Sequence, residues 1–218
     1  MIDADPRSLS ISGEEVKWFP IHAIINNPQV GRCCDFVQHM IKLNPSSLQF
    51  TDMYEQVPLH VACYSKHMTA NVVQLLVDGW SDSTQQRDCN GCFPIHHLCE
   101  NVDLDETIKL DILRILVDTD PDTLKATNER LSLPIHIAST YQNASFNKVL
   151  VDACPESLRV RDQGGNLPFH RACERGSLDT VEFLFEAEPQ SIFATTGGGL
   201  YPLHMAMTVK GKCQTDVA

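Results

Sequence analysis

Sulfur and imidazole are the side chains here best suited to chemistry: the 218 residues include nine cysteines and nine histidines. Their densest grouping is Cys89-Asn-Gly-Cys92-Phe-Pro-Ile-His96-His97-Leu-Cys99. Two thiols two residues apart, followed by His97 and Cys99, form a donor set that zinc accepts, since thiolate and imidazole together close a tetrahedral site. A structural zinc site would usually be completed by a second C-x-x-C, and the sequence has none. A redox pair at Cys89 and Cys92 would belong on a helix N-terminus beside a βαβ pattern, which is also missing. The carboxylates Asp103, Asp105 and Glu106, with Asp118, Asp120 and Asp122 further on, lack the D-x-[DN]-x-[DN]-G spacing of a calcium loop and read as a solvated acidic face. No G-x-x-x-x-G-K-[ST], G-x-S-x-G or H-E-x-x-H occurs, and Gly197-Gly-Gly199 lacks the lysine and strand-to-helix setting of a phosphate loop.

Six of the nine histidines share one setting. Pro-x-His recurs at Pro20-Ile-His22, Pro58-Leu-His60, Pro94-Ile-His96, Pro134-Ile-His136, Pro168-Phe-His170 and Pro202-Leu-His204, at intervals of 38, 36, 40, 34 and 34 residues. A catalytic base needs one histidine with partners of its own. Six equivalent ones at a period between 20 and 50 residues indicate a stack of supersecondary units. His96 belongs to this series, and Cys99 matches Cys63 and Cys173 in other units, where a small apolar side chain suits a core.

The elements around each Pro-x-His follow from the same spacing. Pro45, Pro121, Pro155 and Pro189 lie 13 residues before an anchor proline, Leu48, Leu124, Leu158 and Ile192 lie 10 before, and Asp52, Asp88, Asn128 and Asp162 lie 6 before, with Thr196 in that place in the last unit. Gly91, Gly165 and Gly199 lie 3 before. The block predicts a helix stop, one buried aliphatic residue, an Asx-type turn with a residue at positive φ, and a new helix with proline in its first turn. The second unit departs from it, with Ser81 and Thr84 in place of proline and leucine. Second helices are predicted around Phe36, Val37, Met40 and Ile41, around Val72 to Leu76, around Ile112 to Leu116, around Phe146 to Leu150, and around Val181 to Phe185. Variation in unit length falls in the helices or between them, most of all at Glu100–Glu106.

On Asp162, Gly165, Pro168, His170, Ala172 and Gly176, and on their counterparts in the other units, the chain resembles the ankyrin repeat, with its Thr-Pro-Leu-His signature. The resemblance implies an all-α solenoid of stacked helix-turn-helix units with short β-turn fingers. It covers residues 14–218 in units of approximately 14–47, 48–83, 84–123, 124–157, 158–191 and 192–218, the last incomplete, after a flexible lead-in over 1–13. The incomplete last unit points to a piece of a longer array. The resemblance also implies that the anchor histidines are neutral, partly buried and bridge backbone groups of adjacent turns. The residue before each anchor proline departs from the family's threonine: Phe19, Val57, Phe93, Leu133, Leu167 and Tyr201 cannot cap with a side chain, and an apolar contact with the neighbouring unit is expected instead.

Apolar residues make up 43% and charged residues 21%, as in a folded protein. A net charge of −11 argues against binding phosphate backbones. No run of apolar residues is long enough to span a membrane, and no apolar signal segment leads the chain, so free thiols in an intracellular compartment, cytoplasmic or nuclear, are expected. The sequon Asn143-Ala-Ser145 is then incidental. The resemblance implies a monomeric scaffold without cofactor or enzymatic activity that binds an unidentified protein through its fingers and the inner face of each first helix. Finger tips then expose Met53, Tyr54 and Gln56; Cys89, Asn90 and Cys92; Glu129, Arg130 and Ser132; Gln163, Gly164 and Asn166. First-helix ends add Tyr64 and Ser65, Glu100 and Asn101, Thr140 and Tyr141, Glu174 and Arg175. Tyr54, Tyr64, Arg130, Tyr141 and Arg175 are of the types that anchor interfaces. The alternatives are a recruiting segment of a larger enzyme or signalling protein, and a zinc module built on Cys89, Cys92, His97 and Cys99.

Overall fold

A computed structural model describes residues 19–29 and 34–208. The expected lead-in over 1–13 lies outside the described residues, as do Cys33 and Cys213. The described elements are α-helices and 3-10 turns, with no strand among them. Packing divides the chain into two compact units, Met1–Glu129 and Arg130–Ala218.

In the first unit, α1 (Pro20–Ile25), α3 (Pro58–Tyr64) and α5 (Pro94–Glu100) are the short helices that open on the anchor prolines, and α2 (Cys34–Leu43), α4 (Ala70–Gly79) and α6 (Glu106–Thr119) are their longer partners. Short helices pack on short ones and long on long. In the second unit, α7 (Pro134–Tyr141), α9 (Pro168–Arg175) and α11 (Pro202–Thr208) alternate with α8 (Ala144–Ala153) and α10 (Leu178–Ala187) in the same way. The core is aliphatic. Val72, Val73, Ile112 and Leu113 are completely buried in the first unit, and Ala138, Phe146, Leu150 and Leu184 nearly so in the second. Each large one contributes about 1.5–3 kcal/mol over leaving it exposed. Phe36 and Ile192, expected inside, are more than two-fifths exposed. Among the described residues α2 has a long-helix neighbour only on its α4 side, and no long helix follows α11, so neither residue is covered on both sides.

The proline expected to stop each long helix also starts the next element. Pro45–Gln49, Ser81–Gln85, Pro121–Lys125, Pro155–Arg159 and Pro189–Phe193 are 3-10 turns. Thr84, standing where other units have an aliphatic residue, is buried with its hydroxyl donating to the Ser81 carbonyl at 3.0 Å. The extra length at Glu100–Glu106 is held by Asn101. Its Nδ2 donates to the Cys63 carbonyl at 3.0 Å, and its Oδ1 accepts the Asp103 and Leu104 N–H groups, both at 3.1 Å. Two of the acidic residues are caps: Asp105 accepts from Thr107 and Ile108 at the start of α6, and Asp120 from Asp122. Asn143 of the sequon caps α8 by accepting the Phe146 N–H.

The fingers take the predicted turn. Gly91, Gly165 and Gly199 have φ of +68°, +72° and +77°. A Cβ on Gly165 would lie 2.4 Å from the Gly197 backbone nitrogen, so both φ and space demand glycine there. The same register in the other two fingers holds Glu55 at φ +60° and Leu131 at +54°. A left-handed residue other than glycine costs about 1–2 kcal/mol, partly offset by the freedom glycine adds to the unfolded chain. Leu131→Gly is therefore expected to stabilise the protein by about 0.5–1 kcal/mol, read as a higher urea midpoint at unchanged slope, whereas Leu131→Ala keeps the strained φ and gains nothing. A lower midpoint for Leu131→Gly would show that no strain is stored there.

Candidate functional site

The anchor imidazoles lie inside the stack. His22, His60, His96, His136 and His170 are at most 1% exposed. In four of them Nδ1 accepts the backbone N–H of the residue before the anchor proline: Val57 to His60 at 3.2 Å, Phe93 to His96 and Leu133 to His136 at 3.1 Å, and Leu167 to His170 at 3.2 Å. An N–H can only donate, so Nδ1 carries no proton and Nε2–H must be the donor. Nε2 meets carbonyls of the next finger: His60 to Cys92 at 3.1 Å, His136 to Val160 at 3.1 Å and Asn166 at 3.2 Å, and His170 to Ala194 at 3.1 Å. His22 makes the same outward bond, to Gln56 at 2.9 Å. The imidazole supplies half of a capping box; the other half is missing because the cap residues are apolar. Those apolar caps are buried instead, Val57 and Leu133 to 2% and 3% exposure. Burial holds His22, His60, His136 and His170 below the usual histidine range, His60 at about 4, which keeps them neutral.

Each aspartate ties its finger with one oxygen. Asp52 Oδ1 accepts the Tyr54 and Gln56 N–H groups, Asp88 those of Asn90 and Cys92, and Asp162 those of Gly164 and Asn166, at 2.8–2.9 Å throughout. The second oxygen of Asp88 takes His97 Nε2 at 2.9 Å, and that of Asp162 takes Arg171 Nε at 2.8 Å. Burial raises both carboxyls, but these bonds and the backbone donors outweigh it and hold both below the ordinary range.

The four residues of the zinc alternative stand apart in environment. Cys89 is exposed, Cys92 half-buried, His97 is engaged with Asp88, and Cys99 is fully buried with its thiol pushed well up by burial. Among the described residues no group of three or more His, Cys, Asp or Glu side chains is placed to hold a metal ion.

At the surface, Tyr54 and Tyr64 of the first unit are 51% and 65% exposed, and together with Val61, Asp52, His97 and Glu100 they line a cleft of about 410 Å³. The Tyr64 ring stands edge-on to His97, centroids 6.4 Å apart. In the second unit Arg130, Tyr141 and Arg175 are exposed. Four residues two before an anchor proline, expected at tips, turn inward: Ser132 and Asn166 are buried and Gln56 and Cys92 half-buried. The turn closes on that residue from both sides, as where Asp162 N–H donates to the Asn166 carbonyl at 2.9 Å while Asp162 Oδ1 takes the Asn166 N–H. Ser65 and Asn101, at the ends of first helices, are buried too.

Residues 150–206 match the family of ankyrin repeats (many copies). The stretch runs from the end of α8 into α11 and contains the finger, the anchor proline and the imidazole bridge that recur in the first unit. The matched stretch is built of ankyrin repeats, and the helical stack of the described residues fits an ankyrin-repeat protein. No curated protein matches the chain. Ankyrin repeats are generally modules for protein–protein interaction and typically non-catalytic. Among the described residues no helix is long and apolar enough to cross a membrane.

One recurring position escaped the sequence reading of these repeats. Ser47, Ser83, Thr123, Ser157 and Ser191 all lie 11 residues before an anchor proline and are buried in the 3-10 turns. Thr123 and Ser157 donate to the carbonyl three residues back, at 2.7 and 2.6 Å. A hydroxyl at one fixed offset in five units was the available signal.

Proposed function

We propose that the repeats over 14–218 form a monomeric intracellular scaffold, cytoplasmic or nuclear, that binds a protein rather than nucleic acid and performs no catalysis itself. The observation that carries this reading is the pair of exposed tyrosines lining the cleft of the first unit. Tyrosine presents a large, stiff, amphipathic face at low entropic cost and is enriched among residues that dominate interfaces. Arg130, Tyr141 and Arg175 of the second unit offer the same residue types, exposed on a finger and on first-helix ends. The buried anchor histidines are accounted for by the backbone bonds they make. Free thiols at Cys63, Cys89 and Cys173 accord with a reducing compartment.

The test is capture of a partner from cell lysate by the intact chain and by Tyr64→Ala/Tyr141→Ala. Each truncation is expected to cost about 2 kcal/mol of binding, enough together to abolish recovery, with helical content by circular dichroism unchanged because neither ring is in the core. Undiminished capture by the double variant would remove these tyrosines from the binding surface.

A further inference from the structure

We propose that the cleft of the first unit receives a cationic side chain of the partner, guanidinium or ammonium, with the Asp52 carboxylate as its counter-ion and the Tyr54 and Tyr64 rings as its walls. The proposal rests on the partner-binding reading above and deepens it to the chemistry of one contact.

It follows from comparing equivalent turns. In each acidic finger Oδ1 is spent on the turn's own N–H groups. Oδ2 of Asp88 and of Asp162 is met by a basic side chain from one register, the third residue beyond the anchor proline: His97 in one case, Arg171 in the other. Where that register carries the apolar Ile137, the finger carries the uncharged Asn128. The first finger breaks the pattern. It keeps the acid, Asp52, but its register residue is Val61, and among the described residues no side chain donates to Asp52 Oδ2.

Asp52 is 5% exposed and lines the cleft alongside Val61. A charge pair formed where water is sparse is stronger than one at an open surface. His22, on which Asp52 acts electrostatically, supplies no partner charge, since burial keeps its ring neutral. The cleft thus lies beside the position that His97 and Arg171 fill from within the chain in their own turns. Its other features suit a cation as well. Two tyrosine faces can flank an ammonium or guanidinium, Glu100 adds an exposed carboxylate at the rim, and Tyr64 is backed by a His97 ring that Asp88 holds in place. The net charge of −11 would speed the approach of a basic partner.

The experiment is an NMR titration of the intact ¹⁵N-labelled chain with N-acetyl-arginine methylamide, N-acetyl-lysine methylamide and N-acetyl-leucine methylamide. The Tyr54 and Gln56 amides, which donate to Asp52, are expected to shift with one or both cationic amides and not with the leucine amide. Whichever cation is preferred identifies the head group. Asp52→Asn keeps an Oδ1 acceptor while removing the charge, and is expected to weaken binding by roughly tenfold or more. Val61→Arg places an internal cation where Arg171 stands in its own turn, and is expected to abolish the shifts while raising Tm. Shifts of equal size with the leucine amide, equal affinity in Asp52→Asn, or no shift with either cation would each overturn the proposal. If the cations fail while lysate capture still depends on Tyr64 and Tyr141, the cation site falls and the scaffold reading stands. If the titration succeeds while capture ignores both tyrosines, the cation site stands and the wider tyrosine surface falls.

Discussion

Lowering the pH from 7 to 5 is expected to destabilise the protein by about 2 kcal/mol or more, because its anchor imidazoles are folded in neutral. Burial is the main cause that depresses His60, to about 4, with the neighbouring His97 adding to it. His22, His136 and His170 are lowered too, each chiefly by burial. Unfolded, all four return to about 6.5. Between the folded and unfolded values the unfolded chain binds protons that the folded chain does not, so stability is complete above about 6.5 and drains as pH falls. His60 alone loses about 2 kcal/mol by pH 5 on this arithmetic. The carboxylates form a separate, more acidic phase. Asp88 and Asp162 are depressed in the fold, so their contributions persist until the pH drops below about 3.8, the ordinary aspartate value. Urea midpoints measured from pH 8 to pH 4 read the first phase directly. A flat profile between pH 7 and 5 would mean that the rings take up protons as readily in the folded chain as in the unfolded one, and rising stability on acidification would mean that they are protonated in the native state; either result would overturn the assignment of neutral buried rings.

His136→Ala is expected to cost about 3–5 kcal/mol, enough to leave much of the second unit unfolded at 37 °C. The ring accepts from the Leu133 N–H and donates to the Val160 and Asn166 carbonyls, all in surroundings where water cannot replace it. Alanine removes these bonds together and leaves a cavity the size of an imidazole. His204 supplies the comparison within the same unit. Its Nδ1 takes the Tyr201 N–H at 3.0 Å in the same way, yet the residue is exposed. His204→Ala should cost under about 1 kcal/mol, since water can satisfy what is uncovered. Thermal unfolding of both variants would decide the matter, and equal losses would show that the cap bond, not the bridge between repeats, is what the histidine contributes.

The candidate site was legible in part. Tyr54, Tyr64, Arg130, Tyr141 and Arg175 could be proposed from their offsets to the anchor prolines, and each is exposed in the structure. The same offsets misplaced Ser132, Asn166, Ser65 and Asn101, which are buried. A residue's offset says how far it lies along the turn, but whether it faces water depends on how the turn closes. Asn166 turns inward because its backbone is bonded to Asp162 through both its N–H and its carbonyl. The acid at position 52 was visible as a turn residue; nothing in its own finger marked it as lacking a basic partner among the described residues.

By itself the amino-acid sequence determined the period of the chain, where each short helix begins, and the Asx turn that precedes it. Those features are set within a few residues: a proline fits the first helical turn, and a carboxylate reaches N–H groups two and four positions on. It also marked six histidines as equivalent positions, through repetition alone, though His204 is exposed where the other five are buried. Tertiary structure decided the rest. It set the proton on Nε2, because the carbonyl that receives it lies in another repeat, 24 to 34 residues away. It exposed Phe36 and Ile192, whose apolar faces lack cover on one side among the described residues. It also put Asp52, Tyr54 and Tyr64 around one cleft, since burial and pairing are properties of what packs against a residue, and that neighbour comes from elsewhere in the chain.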